Sequence, residues 1–112
     1  RPENIAYTSS GLSFTAIRKG FMIPVESPLV GDFNISNILA ALGVTVFALG
    51  VEPAAAQHGI AAMKGVPGRM ERISLGQNFT AIVDFAHTPN ALLQALRTVR
   101  AMVKRKSVIV VF

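Results

Sequence analysis

Asp84 and His87 follow directly on the apolar run Phe79-Thr-Ala-Ile-Val83, and Arg69 stands earlier in the chain, immediately behind Val66-Pro67-Gly68. Pro67 fixes its own φ and pushes Val66 towards extended conformations, while Gly68, lacking a Cβ, can take backbone angles closed to other residues. That is the chemistry of a turn or hinge. A run as apolar as residues 79–83 reads as a strand covered on both faces. The pattern therefore delivers a carboxylate and an imidazole to the carboxyl end of a strand, where open α/β sheets bind ligands. A planar guanidinium suits phosphate oxygens, and a carboxylate in that position can accept hydrogen bonds from a ribose diol. The layout predicts a nucleotide site spanning a hinge. Each residue also has a plainer reading: Arg69 in an ion pair with Glu71, Asp84 capping the turn before the next helix, and His87 as a hydrogen-bonded structural residue. For His87, stacking on a nucleotide and general-acid work stay open beside that reading.

Asn34 and Asn37 form a second pair, one helical turn apart at the start of an amphipathic stretch and therefore on one side of it. A primary amide donates and accepts, so it can match the adjacent acceptor and donor on the N7/N6 edge of adenine. A helix cap and a satisfied polar side chain explain the same spacing. His58 has no partner in the pattern and reads as a surface or packing residue. Two histidines and no cysteine leave no metal-ligand spacing and no disulfide framework. No Gly-x-x-x-x-Gly-Lys-Ser/Thr run occurs, so a phosphate cradle with its magnesium hydroxyl ligand is not encoded in these residues.

The elements that must position these groups follow from periodicity. Ile5-Ala6-Tyr7, residues 12–17 and residues 21–25 read as a β-meander with turns at Ser9-Ser10-Gly11 and Arg18-Lys19-Gly20, Pro24 marking the third strand as an edge. Ile35, Ile38, Leu39, Leu42, Val46 and Leu49 predict a helix over residues 35–49, with Asp32 or Asn34 as its cap and Gly50 as its end. Glu52-Pro53 opens an alanine-rich helix running to about Met63 and closed by Gly65. Residues 70–75 and 79–85 predict a hairpin through Gly76-Gln77-Asn78. Thr88-Pro89 caps a helix striped by Leu92, Leu93, Leu96, Val99, Met102 and Val103, and Val108-Ile-Val-Val-Phe112 completes a βαβ unit with parallel strands.

Composition sets the class. A hydrophobic share of 51% argues against disorder, and a charged share of only 15% is low for an independent domain of 112 residues, as in a piece of a larger core or a small domain with a sticky interface. No apolar run is long enough to span a bilayer, and Arg1-Pro-Glu-Asn has no signal-peptide character. Of the net charge of +5, much sits at Arg97, Arg100, Lys104, Arg105 and Lys106. Such a cluster complements a helix end and solvates the surface, or attracts polyanionic substrates. Without interleaved aromatics it does not read as a nucleic-acid site.

Three ordered segments carry a family resemblance. Gly31-Asp-Phe-Asn-Ile-Ser-Asn37, Pro67-Gly-Arg-Met-Glu71 and Val83-Asp-Phe-Ala-His-Thr-Pro89 resemble motifs of the Mur ligases, the ATP-dependent amide-forming enzymes of peptidoglycan synthesis, most closely the tripeptide-forming branch. The resemblance implies an internal fragment of α/β class: residues 1–65 ending the central ATPase domain with short strands and two helices, and residues 66–112 opening a Rossmann-like C-terminal domain with its first βαβ part. It implies an enzyme that uses ATP to convert the carboxylate of a UDP-MurNAc-dipeptide to an acyl phosphate, which a diamino acid then attacks, in the cytoplasm. Folylpolyglutamate and cyanophycin synthetases are rivals within the superfamily, and a non-catalytic nucleotide-binding or interaction module is the rival outside it.

By the same resemblance Asn37 reads adenine with Asn34 as its structural partner, Arg69 contacts phosphate, Asp84 binds the ribose, and His87 lies at the nucleotide. Magnesium, its ligands, the carbamylated lysine and the amino-acid-selecting loop are expected outside these residues. Phe85 stands where tyrosine is usual, and Asn90 where aspartate is common. Arg69 and Asp84 lie on connectors rather than in apolar stripes, so their loss is expected to impair nucleotide use more than folding. The fragment alone is expected to be inactive and to self-associate through exposed apolar surface.

Overall fold

Leu12, Phe14 and Ala16 alternate with Ser13, Thr15 and Ile17, and this period of two puts the first three on one buried face. In the computed structural model, which describes residues 1–8, 11–103 and 107–112, they form the middle of a three-stranded antiparallel meander. Its strands are β1 (Pro2–Thr8), β2 (Gly11–Arg18) and β3 (Phe21–Ser27), in that spatial order. Pro24 lies on β3, at the sheet edge, opposite Thr15. The register of β1 on β2 shifts between Glu3 and Ala6, where Asn4 takes φ 55°, a conformation asparagine tolerates better than most residues. The expected Ser9-Ser10 part of the first turn, and Lys104, Arg105 and Lys106 of the basic cluster, lie outside the described residues.

The chain divides into two units, Arg1–Lys64 and Gly65–Phe112. The first has a well-formed core. Ile23 and Val25 of β3 join the β2 face, and helix α1 (Asp32–Leu42) lays Ile35, Ile38 and Leu42 across it. Helix α2 (Pro53–Ala61) adds Ala56 and Ile60 from the side of β3, where Gln57 Nε2 donates to the Pro24 carbonyl at 2.6 Å. Burying a side chain of this kind contributes roughly 1.5–3 kcal/mol, so this cluster dominates the unit's stability.

The expected helix over residues 35–49 differs in two ways. It starts earlier, at Asp32 behind Gly31, and neither Asp32 nor Asn34 caps it. Asn34 instead sends its amide backwards to the Val30 carbonyl, and the Asp32 carboxylate faces Tyr7. The helix then widens over Gly43–Ala48 into a π-helical turn. Val44-Thr45-Val46 is a β-branched run, which crowds a regular turn, and Thr45 Oγ1 donates to the Ala41 carbonyl at 2.8 Å. Val46 stays buried, and Gly50 follows with φ 70°. Helix α2 opens at Pro53 as expected but ends at Ala61, before Met63.

The second unit is smaller in its ordered parts than the sequence predicts. Strands β4 (Glu71–Ile73) and β5 (Ala81–Val83) pair as an antiparallel hairpin, and α3 (Pro89–Val103) follows. Thr88 caps α3, its Oγ1 accepting from the Ala91 amide at 3.3 Å. Residues 107–112 join no ladder among the described residues, so the third member of the βαβ unit is not formed as a strand. The apolar stripe of α3 has no fully buried residue, and Phe79 and Val83 are exposed rather than covered on both faces. A two-stranded ribbon and one helix offer too little surface to enclose each other's apolar sides.

Candidate functional site

In the first unit the candidates sit on the first turn of α1. Gly31 makes that turn possible: its φ is 97°, and a Cβ there would lie 2.6 Å from the Phe33 ring, which folds back over it. Asn34 Nδ2 donates to the Val30 carbonyl at 2.8 Å, and Asn37 Nδ2 donates to Asn34 Oδ1 at 3.1 Å. A carbonyl only accepts, so Val30 fixes which end of Asn34 faces it, and Asn34 in turn fixes which end of Asn37 is used. Asn37 is exposed and keeps its Oδ1 and one N–H unspent, an acceptor and a donor side by side. The amide pair is thus one positioned group and one presented group.

Sequence reasoning missed the neighbour of this turn. Tyr7, on β1, has its hydroxyl pKa raised, first by partial burial and then by the Asp32 carboxylate to which it hydrogen-bonds. Nothing in the local pattern of either residue signals the pair, because only the meander brings residue 7 to residue 32.

In the second unit the structure brings Arg69, Asp84 and His87 together around one turn. Arg69 N donates to Val66 O at 3.0 Å, and Gly68 N donates to Glu71 Oε2 at 2.7 Å. The Glu71 carboxylate accepts from the backbone, and no carboxylate among the described residues pairs with Arg69, so the plainer reading of Arg69 as an ion-pair partner of Glu71 does not hold. Asp84 Oδ2 accepts from Met70 N and Oδ1 from Ala86 N, each at 2.8 Å, and Phe85 N donates to Gly68 O at 2.8 Å. The Arg69 guanidinium lies over the Phe85 ring at 5.3 Å, and that ring meets His87 edge-on at 4.9 Å. His87 Nδ1 lies 3.0 Å from the Phe85 carbonyl, so Nδ1 carries the proton of that bond and Nε2 is left to the solvent side of an exposed residue.

Chemically the turn presents a cation on an aromatic platform beside a carboxylate and an imidazole. An anion suits Arg69, and each Asp84 oxygen keeps one lone pair beyond its backbone bond. An apolar cleft of about 550 Å³ elsewhere in this unit is lined by Leu96, Arg97, Arg100, Ala101, Val108 and Val110, and no candidate residue borders it. No metal-holding group of His, Asp and Glu occurs among the described residues, and no described helix is long and apolar enough to cross a membrane. His58 is exposed on α2.

Residues 68–112 match a family described as Mur ligase, glutamate ligase domain. The chain is 41% identical over 95% of its length to the UDP-N-acetylmuramoyl-L-alanyl-D-glutamate–2,6-diaminopimelate ligase of Solibacter usitatus, and covers 21% of that protein. A solved structure of an enzyme of the same name superposes with a TM-score of 0.68 at 33% identity, over 90% of this chain and 20% of the other. The folylpolyglutamate synthetase of Lactobacillus casei superposes with a TM-score of 0.75 at 22% identity, over 96% and 28%, which shows a shared fold. The chain thus spans about a fifth of the length of the curated relative.

Proposed function

The chain belongs to the Mur ligase family, and from that premise we propose that it is the ATP-contacting middle of a ligase that adds a diamino acid to a UDP-MurNAc-dipeptide. The observation that carries the reading is the 41% identity, over nearly the whole chain, to a ligase named for 2,6-diaminopimelate. On this reading residues 1–65 close the central ATP-binding domain and residues 66–112 open the C-terminal ligase domain. The reaction belongs to the cytoplasm, where ATP and UDP-linked precursors are found.

ATP supplies the phosphoryl group that activates the substrate carboxylate, with magnesium held by residues other than these. The chain's own residues hold and orient the nucleotide. In the first unit, Asn37 offers its free acceptor and donor to the adenine edge, and Asn34 sets its orientation. In the second, Arg69 offers an unpaired guanidinium to phosphate, Asp84 its remaining lone pairs to the ribose hydroxyls, and His87 an exposed Nε2 to the nucleotide.

The test is the complete protein that carries this segment, assayed with UDP-MurNAc-L-Ala-D-Glu, 2,6-diaminopimelate and ATP. ADP should form in step with the new amide and only when both substrates are present. A charge-assisted hydrogen bond is worth roughly 1.5–3 kcal/mol, so Arg69→Ala should lower kcat/KM for ATP by about tenfold or more. Glutamate addition to a folate in place of the muramyl reaction would overturn the substrate; an unchanged kcat/KM in folded Arg69→Ala would remove Arg69 from the site.

A further inference from the structure

Arg69 sits between two residues in left-handed backbone conformations, Gly68 at φ 69° and Met70 at φ 48°. Glycine takes that region freely; a methionine does not, and holds it only where its surroundings impose it. The consequence is visible on both sides of the turn. Met70 turns inward and is 5% exposed, while its neighbour Arg69 is left facing out.

What imposes the conformation is the segment from Asp84 to His87. The Asp84 carboxylate accepts the Met70 amide on one oxygen and the Ala86 amide on the other. The Phe85 amide returns the link by donating to the Gly68 carbonyl. The backbone is therefore fastened immediately before and immediately after Arg69, to one short piece of chain that follows β5. The same piece holds the side chain, since the guanidinium rests over the Phe85 ring, which is itself braced edge-on by His87. Phe85 is 62% exposed, so the ring is not there to fill a core.

We propose that Asp84 and Phe85 are positioning residues for Arg69, Asp84 fixing its backbone and Phe85 its guanidinium, so that the cation is presented to an anionic ligand without having to be ordered on binding. The proposal rests on the reading of Arg69 as a phosphate contact, and it changes what a defect at Asp84 means. A loss on substitution is then a loss of Arg69 placement, in addition to any ribose contact. It also gives Phe85 a role that needs no hydroxyl.

The experiment uses the complete protein and four readouts. Asn at position 84 can accept only one of the two amides, so Asp84→Asn should speed hydrogen exchange at Met70 or Ala86 by about tenfold. In kinetics, Asp84→Asn should cost much less in an Arg69→Ala background than in the wild type, because both act through one guanidinium. The ratio of kcat/KM for ATP over 2′-deoxy-ATP reads the ribose contact separately: the part of the Asp84→Asn loss that survives in the Arg69→Ala background should appear in that ratio, and the part that acts through Arg69 should not. Phe85→Leu, which keeps bulk and removes the ring face, should raise KM for ATP several-fold with little change in kcat and shift the His87 ring resonances, while Phe85→Tyr should restore both; this arm stands even if Asp84→Asn misfolds.

Additive losses at Arg69 and Asp84, or a collapse of the ATP to 2′-deoxy-ATP ratio with unaltered exchange, would overturn the clamp in favour of a direct ribose contact. Faster exchange with unmoved ATP kinetics would uphold the clamp and instead sink the phosphate reading of Arg69.

Discussion

Tyr7 is the only tyrosine in the chain, which also lacks tryptophan, so its titration can be followed by absorbance without interference. Its phenol is held protonated by partial burial and by the Asp32 carboxylate, so the midpoint should lie above the ordinary 10.0. Asp32→Asn should bring it back towards that value, and a midpoint indifferent to the substitution would mean that the carboxylate does not face the hydroxyl. The linkage has a definite sign. A raised folded pKa means the contribution is intact below the unfolded value near 10 and is lost as pH rises through the folded one. Alkaline titration should therefore weaken the first unit, and Asp32→Asn should soften that dependence. At the same scale, Asp84 revises an expectation drawn from its place on a connector. Both of its oxygens hold backbone amides, so Asp84→Ala should impair folding of the turn as well as nucleotide use, unlike Arg69→Ala, whose side chain is exposed.

Among the elements, α1 depends on a single residue at its entry. Gly31 combines φ 97° with the Phe33 ring 2.6 Å from where a Cβ would stand, so Gly31→Ala forces both a strained backbone and a displaced ring. Positions of this kind cost on the order of 1–3 kcal/mol. The midpoint of chemical denaturation should fall accordingly, with α1 still seated on the sheet through Ile35, Ile38 and Leu42. A variant as stable as the parent would show that the turn relaxes without cost. The hairpin β4–β5 contrasts with this, since it is stitched by side chains at both ends. Gln77 accepts from Leu75 N through Oε1 and donates to Ile73 O through Nε2 at one end, and at the other Asp84 and Glu71 accept from the Met70 and Gly68 amides. Polar stitching of that kind compensates for a ribbon with little apolar cover.

For the molecule as a whole, the two units differ in how much apolar surface they enclose. The first buries nine residues in one cluster; the second leaves Leu75, Phe79, Phe85, Ile109 and Val111 exposed. Exposed apolar residues in that number favour association. Light scattering on the 112-residue chain should therefore show concentration-dependent oligomers. Calorimetry on the same chain should show weak ATP binding or none, because the backbone amides of a phosphate loop, the strongest anion contacts in such sites, are not encoded here. Micromolar, adenine-selective binding by a monodisperse monomer would contradict this expectation, and would favour a self-contained nucleotide-binding module.

Periodicity and turn chemistry determined a good deal without the tertiary structure. The meander, the core stripe of α1, the Pro53 and Thr88-Pro89 helix starts and the family all follow from local residue types, because alternation, caps and motif spacing are properties of neighbouring positions. Tertiary structure decided what those neighbours could not. The cap expected at Asp32 or Asn34 did not form: Asp32 meets Tyr7, which the meander brings to it, and Asn34 turns back to the Val30 carbonyl. Residues 108–112 carry the composition of a buried strand, yet a strand exists only where a second backbone supplies its hydrogen bonds, and none of the described residues does. The joining of Arg69 to Asp84 and Phe85 was equally out of reach of spacing, since the contacts depend on a left-handed Met70 that no local preference would choose.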